Sequence, residues 1–387
     1  MEPFTIDVAD DVLDDLRGRL ARARFVAPSR PEYWAAGVPA GYLESLVSTW
    51  RDDFDWRAVE ARLNRHPQFV ATVAGTRMHF VRLAAVRGPE EAGREPLPIL
   101  LSHGWPSSFV EMLPLAERLA DPVRFGDDGE AFDVVIPSLP GFLFSGLPEG
   151  PLTRKAIADL LHALMTEVLG YERYGAFGGD IGGAATAWLG AEHPEQVVGI
   201  QMIHPPFPSS FDDATLSPEE EAFLAFEGAY DELDGGYSAM MITRPDTIAA
   251  ALIDSPVGLA AWLVDKYRDW ADWRGSGSEG DGSEFERVID RETVLTMLTL
   301  YWVTGSIGTS FRQYLDYDSN AMRPMIDVPA AFPVSAEPGL AGLPRSIAER
   351  ACSNIVHWAP LARGGHFAAL EQPDLMAGHV RRFFSGR

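Results

Sequence analysis

The stretch Gly178-Gly179-Asp180-Ile181-Gly182-Gly183 places a carboxylate among small residues. The run before it, 174–177, reads as a short buried strand, and the run after it, 184–191, as a helix start. Strand, sharp turn and helix is the setting of a nucleophile elbow, where small residues let the backbone turn tightly. Serine there would attack an acyl carbon. Against an sp3 carbon it would form an ether that water cannot readily remove. An aspartate attacking the same carbon forms an ester, whose carbonyl water can open. The residue type therefore points to displacement at an epoxide or a carbon–halogen bond through a covalent intermediate. The competing reading of the segment alone is a glycine-rich turn with a helix-capping aspartate.

Three more segments bear on that chemistry. Ser102-His103-Gly104-Trp105-Pro106 follows an apolar strand. In this layout an oxyanion hole takes one amide from such a loop and one from the residue after the nucleophile, here the backbone N–H groups of Trp105 and Ile181. Arg363-Gly364-Gly365-His366-Phe367 follows the last apolar strand, so His366 is the leading general base, with an ordinary pKa suited to proton abstraction near neutrality. His103 borders the same region, and His204 lies at a strand end. An acid orienting His366 should follow the penultimate strand. Glu337 does so; Asp327 precedes that strand, and Glu349 falls in a solvated helix.

The elements that must hold these residues alternate. Leucine and valine spacing predicts helices over 11–24, 42–50 and 56–63, then strands at 69–73 and 78–81 around a turn at Gly75. A strand–helix series follows: strands at 97–101, 132–137, 174–177 and 197–202, helices at 109–119 and 156–169. The pattern breaks after 206. Residues 207–320 read as mostly helical, with a linker-like loop at 275–283, and alternation resumes with strands at 328–332 and 354–358 and a helix at 375–384. The fold expected is α/β, a mostly parallel sheet with a helical insertion. The units are an N-terminal region at 1–90, a core at 91–206 and 321–387, and a cap at 207–320.

Composition narrows the class. The chain has 387 residues, 46% of them hydrophobic, with 10 Trp and 21 Phe, enough for a large core. A formal net charge of −24 disfavours nucleic acid or an anionic membrane as partner. The single cysteine, Cys352, excludes an intrachain disulfide and a cysteine-rich metal site, and its neighbours read as a packed helix. Residues 1–7 lack a signal-peptide pattern, and no window has the apolar length of a membrane span, so a cytoplasmic location is the expectation.

Taken together, the chain resembles the microsomal-type epoxide hydrolases, α/β-hydrolases with an extra N-terminal region. The resemblance spans nearly the whole length. It rests on Phe54-Asp55-Trp56-Arg57, Pro67-Gln68-Phe69, His103-Gly104-Trp105-Pro106, Gly178-Gly179-Asp180, Arg244-Pro245-Asp246-Thr247 and Gly364-Gly365-His366-Phe367-Ala368-Ala369, in that order. It implies an α/β-hydrolase fold and no cofactor or metal. It also implies two cap tyrosines, at Tyr237 and Tyr314, whose phenols would stabilise and protonate the opening epoxide oxygen. From the residues alone either could be an amphipathic core residue, no better a choice than Tyr230 or Tyr267. Three departures stand out: Ser107-Ser108 after the Trp-Pro pair, Ile181 where an aromatic residue is common, and a longer spacing from Phe332-Pro333 to Glu337.

The expected activity is hydrolysis of an epoxide to a vicinal diol through an Asp180 ester, with Glu337 orienting His366. The partner is a small, hydrophobic or aromatic epoxide; the sequence does not set the oligomeric state, and a homodimer is common among similar proteins. Similar bacterial members include those opening epoxides in enediyne natural-product pathways. The rivals are a haloalkane dehalogenase with the same nucleophile, for which Ile181 offers no halide donor, and a non-catalytic ligand-binding scaffold, which has no need of the Asp–Glu–His set.

Overall fold

In the computed structural model the described residues are all but 28, 30–33, 35, 88–94, 213–214 and 274–283. The linker-like loop expected at 275–283, and most of the polar loop before the first parallel strand, lie outside them.

The fold is built on a nine-stranded sheet in the order β1-β2-β3-β5-β4-β6-β7-β8-β9. Its strands are β1 (Glu2–Phe4), β2 (Gln68–Val73), β3 (Thr76–Leu83), β4 (Pro98–Ser102), β5 (Asp133–Pro137), β6 (Tyr174–Gly178), β7 (Val197–Met202), β8 (Ala330–Val334) and β9 (Ile355–Pro360). β1, β2 and β3 run antiparallel, and β3 pairs antiparallel with β5; from β5 to β9 every pairing is parallel. Strands β4, β6, β7 and β8 are buried at every position. That is why they read as continuous apolar runs: helices cover both faces of a parallel sheet.

Helices α1 (Asp10–Leu20), α2 (Ala40–Asp52) and α3 (Trp56–Leu63) precede β2. The core adds α4 (Phe109–Ala120), α5 (Arg154–Ala163) and α6 (Asp180–Glu192). Between β7 and β8 come α7 (Pro218–Asp234), α8 (Gly236–Thr243), α9 (Pro245–Leu252), α10 (Pro256–Trp270), α11 (Arg291–Thr304) and α12 (Arg312–Leu315). The chain closes with α13 (Arg345–Glu349), α14 (Ala368–Glu371) and α15 (Pro373–Phe384). Among the described residues no single helix is long and apolar enough to cross a membrane.

Several local readings shift; the helix expected over 11–24, for example, ends at Leu20. The N-terminal strands extend the core sheet, since β3 hydrogen-bonds β5. The helix expected over 156–169 is α-helical only to Ala163 and then widens into a π-turn over Leu164–Val168. β8 starts at Ala330, two residues later than expected. Cys352 is buried, but it lies beyond the end of α13, in a backbone bridge to Ile326 and not in a helix.

Candidate active site

β6 ends at Gly178, in register with Ser102 at the end of β4. The chain then turns so sharply that Asp180, the first residue of α6, sits at φ +51°. A non-glycine residue in the left-handed region costs about 1–3 kcal/mol and persists only where its surroundings enforce it. Here they do. A Cβ on Gly182 would lie 2.2 Å from the Ser102 carbonyl oxygen, and one on Gly104 would lie 2.4 Å from both Cβ and Oδ1 of Asp180. The elbow and the loop after β4 touch through glycines because nothing larger fits. The Asp180 carboxylate also stands at the N-terminus of α6, where the helix dipole favours negative charge.

The loop after β4 reaches the carboxylate directly: the Trp105 backbone N–H donates to Asp180 Oδ1 at 2.9 Å. It is braced from three sides. Tyr267 of α10 donates its hydroxyl to the Pro106 carbonyl at 3.1 Å, and Tyr301 of α11 to the Ser107 carbonyl at 2.9 Å. His103 is fully buried, with Nδ1 3.0 Å from the Gly104 carbonyl and Nε2 accepting the Leu139 N–H. Burial pulls its imidazole down to about 4, so it is a neutral brace. Ile181, next after Asp180, is buried and aliphatic.

His366 Nε2 lies 3.8 Å from Asp180 Oδ2, ion-pair distance but beyond a direct hydrogen bond. Its Nδ1 is 2.5 Å from Glu337 Oε2. The long spacing to Glu337 is absorbed by a clip, in which the Ala336 N–H donates to the Gly364 carbonyl at 2.8 Å and joins the acid loop to the histidine loop. Asp327 and Glu349 are elsewhere, the first on Ser353 and the second paired with Arg345. Burial alone would raise the Glu337 carboxyl, but the His366 imidazolium against it holds it well below the usual carboxylate range. Burial pulls the His366 imidazole down, yet the adjacent Glu337 carboxylate, with Asp180 behind it, pushes it up to about 9.

Across the carboxylate stand the two tyrosines. Tyr237 of α8 stacks on the Trp105 indole at 5.3 Å with the rings 8° from parallel. Tyr314 of α12 meets that indole edge-on at 6.1 Å, with its ring 6.2 Å from that of Tyr237. Burial first, and the Asp180 charge further, raise both phenols above their ordinary value, so both keep their protons as donors.

Sequence reasoning passed over several groups that hold this geometry. Trp270, at the end of α10, accepts the His366 backbone N–H through its carbonyl at 3.0 Å and lays its ring 4.7 Å from the imidazole. Glu371 accepts the backbone N–H groups of Asp272, Gly365 and Phe367, clamping the histidine loop to the end of α10. His204 touches both Asp180 and Glu337. Their signals are non-local. Only the strand-end position of His204 was visible in one dimension.

His204, Glu337 and His366 bring ligand-type atoms within 4.8 Å of one another. Two of these atoms are already engaged, His204 Nδ1 by the Asp180 N–H and His366 Nδ1 by Glu337. Asp159, Glu192 and His193 form a second group, in which Lys155 bridges both carboxylates at 2.8 and 2.6 Å.

Comparison with known proteins agrees with this architecture. Residues 1–112 match the family model described as epoxide hydrolase N terminus, and 98–225 the alpha/beta hydrolase fold. A Stigmatella aurantiaca protein provisionally named an epoxide hydrolase is 37% identical over 99% of this chain and 84% of its own length. Epoxide hydrolase 1 of Sus scrofa is 30% identical over 99% of this chain and 88% of its own. The Aspergillus niger epoxide hydrolase structure superposes with a TM-score of 0.78 at 30% identity, covering 99% of this chain and 95% of that one. The chain belongs to the epoxide hydrolase family of microsomal type, built on the α/β-hydrolase fold.

Proposed function

We propose that this protein hydrolyses an epoxide to a vicinal diol through an ester on Asp180. The observation that carries the reading is the division of labour on one carboxylate. Oδ1 is held by the Trp105 N–H, while Oδ2 faces His366 at 3.8 Å and is the oxygen left to attack.

In the first step Asp180 Oδ2 forms a bond to an epoxide carbon as the ring C–O bond breaks. Tyr237 and Tyr314 hold the departing oxygen and supply its proton. In the second step His366, oriented by Glu337, takes a proton from water. That water attacks the ester carbonyl carbon, and the oxyanion grows on Oδ1, where the Trp105 and Ile181 amides stabilise it. Collapse breaks the bond between the carbonyl carbon and Oδ2, the proton of the added hydroxyl passes to the departing diol oxygen, and the carboxylate returns. The proton His366 sheds on esterification replaces the one the tyrosines gave, and the proton taken from water restores the imidazolium. The two steps ask opposite things of His366. Beside a charged Asp180 it is an imidazolium, raised to about 9. Once Asp180 is esterified that charge is gone and the imidazole is freed to act as base.

The helices between β7 and β8 act as a cap, contributing Tyr237, Tyr314 and Trp270. Together with Trp105, whose backbone N–H holds the carboxylate, they form one aromatic cluster with ring centroids 5.2 to 6.2 Å from one another. The substrate class this favours is a hydrophobic or aryl epoxide.

The test is intact-protein mass spectrometry of His366→Gln mixed with a styrene-type epoxide. An adduct of substrate mass on Asp180 is expected to accumulate. An epoxide that the wild type turns over but that leaves no adduct on the variant contradicts the ester route.

A further inference from the structure

His204 follows β7 at the carboxyl edge of the sheet, beside the elbow. The Asp180 N–H donates to its Nδ1 at 2.7 Å. A backbone amide can only donate, so Nδ1 is the bare nitrogen and the neutral ring carries its proton on Nε2. That Nε2 lies 3.3 Å from Glu337 Oε2, the same oxygen that His366 Nδ1 approaches at 2.5 Å. The two imidazoles stand 4.5 Å apart, tilted by 37°, on either side of one carboxylate. The backbone before the nucleophile is packed onto this residue as well: a Cβ on Gly179 would come within 3.3 Å of His204 Cε1.

We infer that His204 is a positioning residue for the reaction, one neutral imidazole that ties the backbone of the nucleophile to the carboxylate of the triad. The inference rests on the reading of Asp180, Glu337 and His366 given above. Its first contact helps hold Asp180 in the left-handed conformation that aims Oδ2 at the substrate. Its second shares the Glu337 charge and moderates the grip of that carboxylate on the His366 proton. A charged His204 would set two N–H donors face to face at 2.7 Å, so the link exists only with a neutral ring. The ionisable groups facing His366 itself are Asp180, Glu337, His204 and the buried Glu111.

Asparagine can place a carbonyl oxygen near the Nδ1 position, and glutamine an amide nitrogen near Nε2, so His204→Asn and His204→Gln separate the two contacts. Single-turnover mass spectrometry with a styrene-type epoxide follows ester formation and ester hydrolysis as separate rates. His204→Asn is expected to form the ester at close to the wild-type rate and to hydrolyse it about tenfold or more slowly, the cost of losing a polar N–H that faces the Glu337 charge at 3.3 Å. Its hydrolysis limb should move alkaline by about half a pH unit, because Glu337 then holds the His366 proton harder. His204→Gln should show the reverse, slowed ester formation with the hydrolysis limb in place. A 15N-histidine spectrum of the resting wild type should show His204 as the Nε2–H tautomer.

Equal slowing of both steps in both variants with an unmoved limb, wild-type rates in both, or an Nδ1–H or doubly protonated His204 would each overturn the inference. A wild type that turns the epoxide over with no ester on Asp180 would instead remove the underlying reaction, and the same traces report it.

Discussion

Replacing Asp180 by asparagine mimics the loss of charge on esterification without substrate. His366 Nε2 and Asp180 Oδ2 are 3.8 Å apart. At that separation two unit charges interact by about 4 kcal/mol at an effective dielectric of ~20, and by about 2 kcal/mol at ~40. At about 1.4 kcal/mol per unit, removing the Asp180 charge should lower the His366 pKa by roughly 1.5 to 3 units. Starting from about 9, that brings the imidazole near its ordinary range, where it can act as a base at neutral pH. The sign follows from the charges: an anion favours the imidazolium, so its loss favours the neutral ring. A 15N-histidine NMR titration of the wild type and Asp180→Asn measures both values, with intact mass confirming that the amide survives. An Asp180→Asn protein whose His366 titrates within half a unit of the wild type would refute the idea that ester formation switches the base on.

Further outcomes follow from the same geometry. Gly104→Ala forces a methyl to within 2.4 Å of the Asp180 side chain, and displacing the carboxylate or the Trp105 amide by about 1 Å should lower kcat/KM by about a hundredfold or more while the protein still folds, checked by circular dichroism. Tyr237→Phe and Tyr314→Phe should each slow ester formation by about 100- to 1000-fold and leave hydrolysis of a preformed ester unchanged, measured by rapid quench. Because the His366 pKa is raised in the folded state, from 6.5 to about 9, its stabilising contribution is complete below pH 6.5 and lost as pH rises through 9. Thermal melts of the wild type and His366→Gln should therefore converge across that window, with the wild type losing its advantage on the alkaline side.

Much of this arrangement was legible in the chain because its signals are local. Buried parallel strands announce themselves as apolar runs, and the elbow as a carboxylate among glycines between strand and helix. His366 was reachable from its place after the last strand, and its contact with Glu337 at 2.5 Å matches the expected pairing despite the longer spacing. What made that spacing workable is the Ala336–Gly364 clip, a backbone contact between distant segments that no local pattern encodes. Tyr237 and Tyr314 could be named only through family resemblance, since a tyrosine on a half-buried helix face looks the same whether it lines a site or fills a core. Trp270 and Glu371 were not singled out, and His204 only by its place at a strand end, because contacts such as Trp270 with His366 and Glu371 with Asp272 join segments far apart in the chain. Cys352 misled because its helix-like neighbourhood ends just before it.

The most direct test of the central claim is one turnover, with enzyme in excess over epoxide, in water enriched in 18O. Hydrolysis of an Asp180 ester at its carbonyl carbon places the heavy oxygen in the Asp180 carboxylate, and the first diol released carries none. Peptide mass spectrometry should find the label on the peptide bearing Asp180. Label in the first diol, with Asp180 unlabelled, would mean that water attacked the epoxide directly.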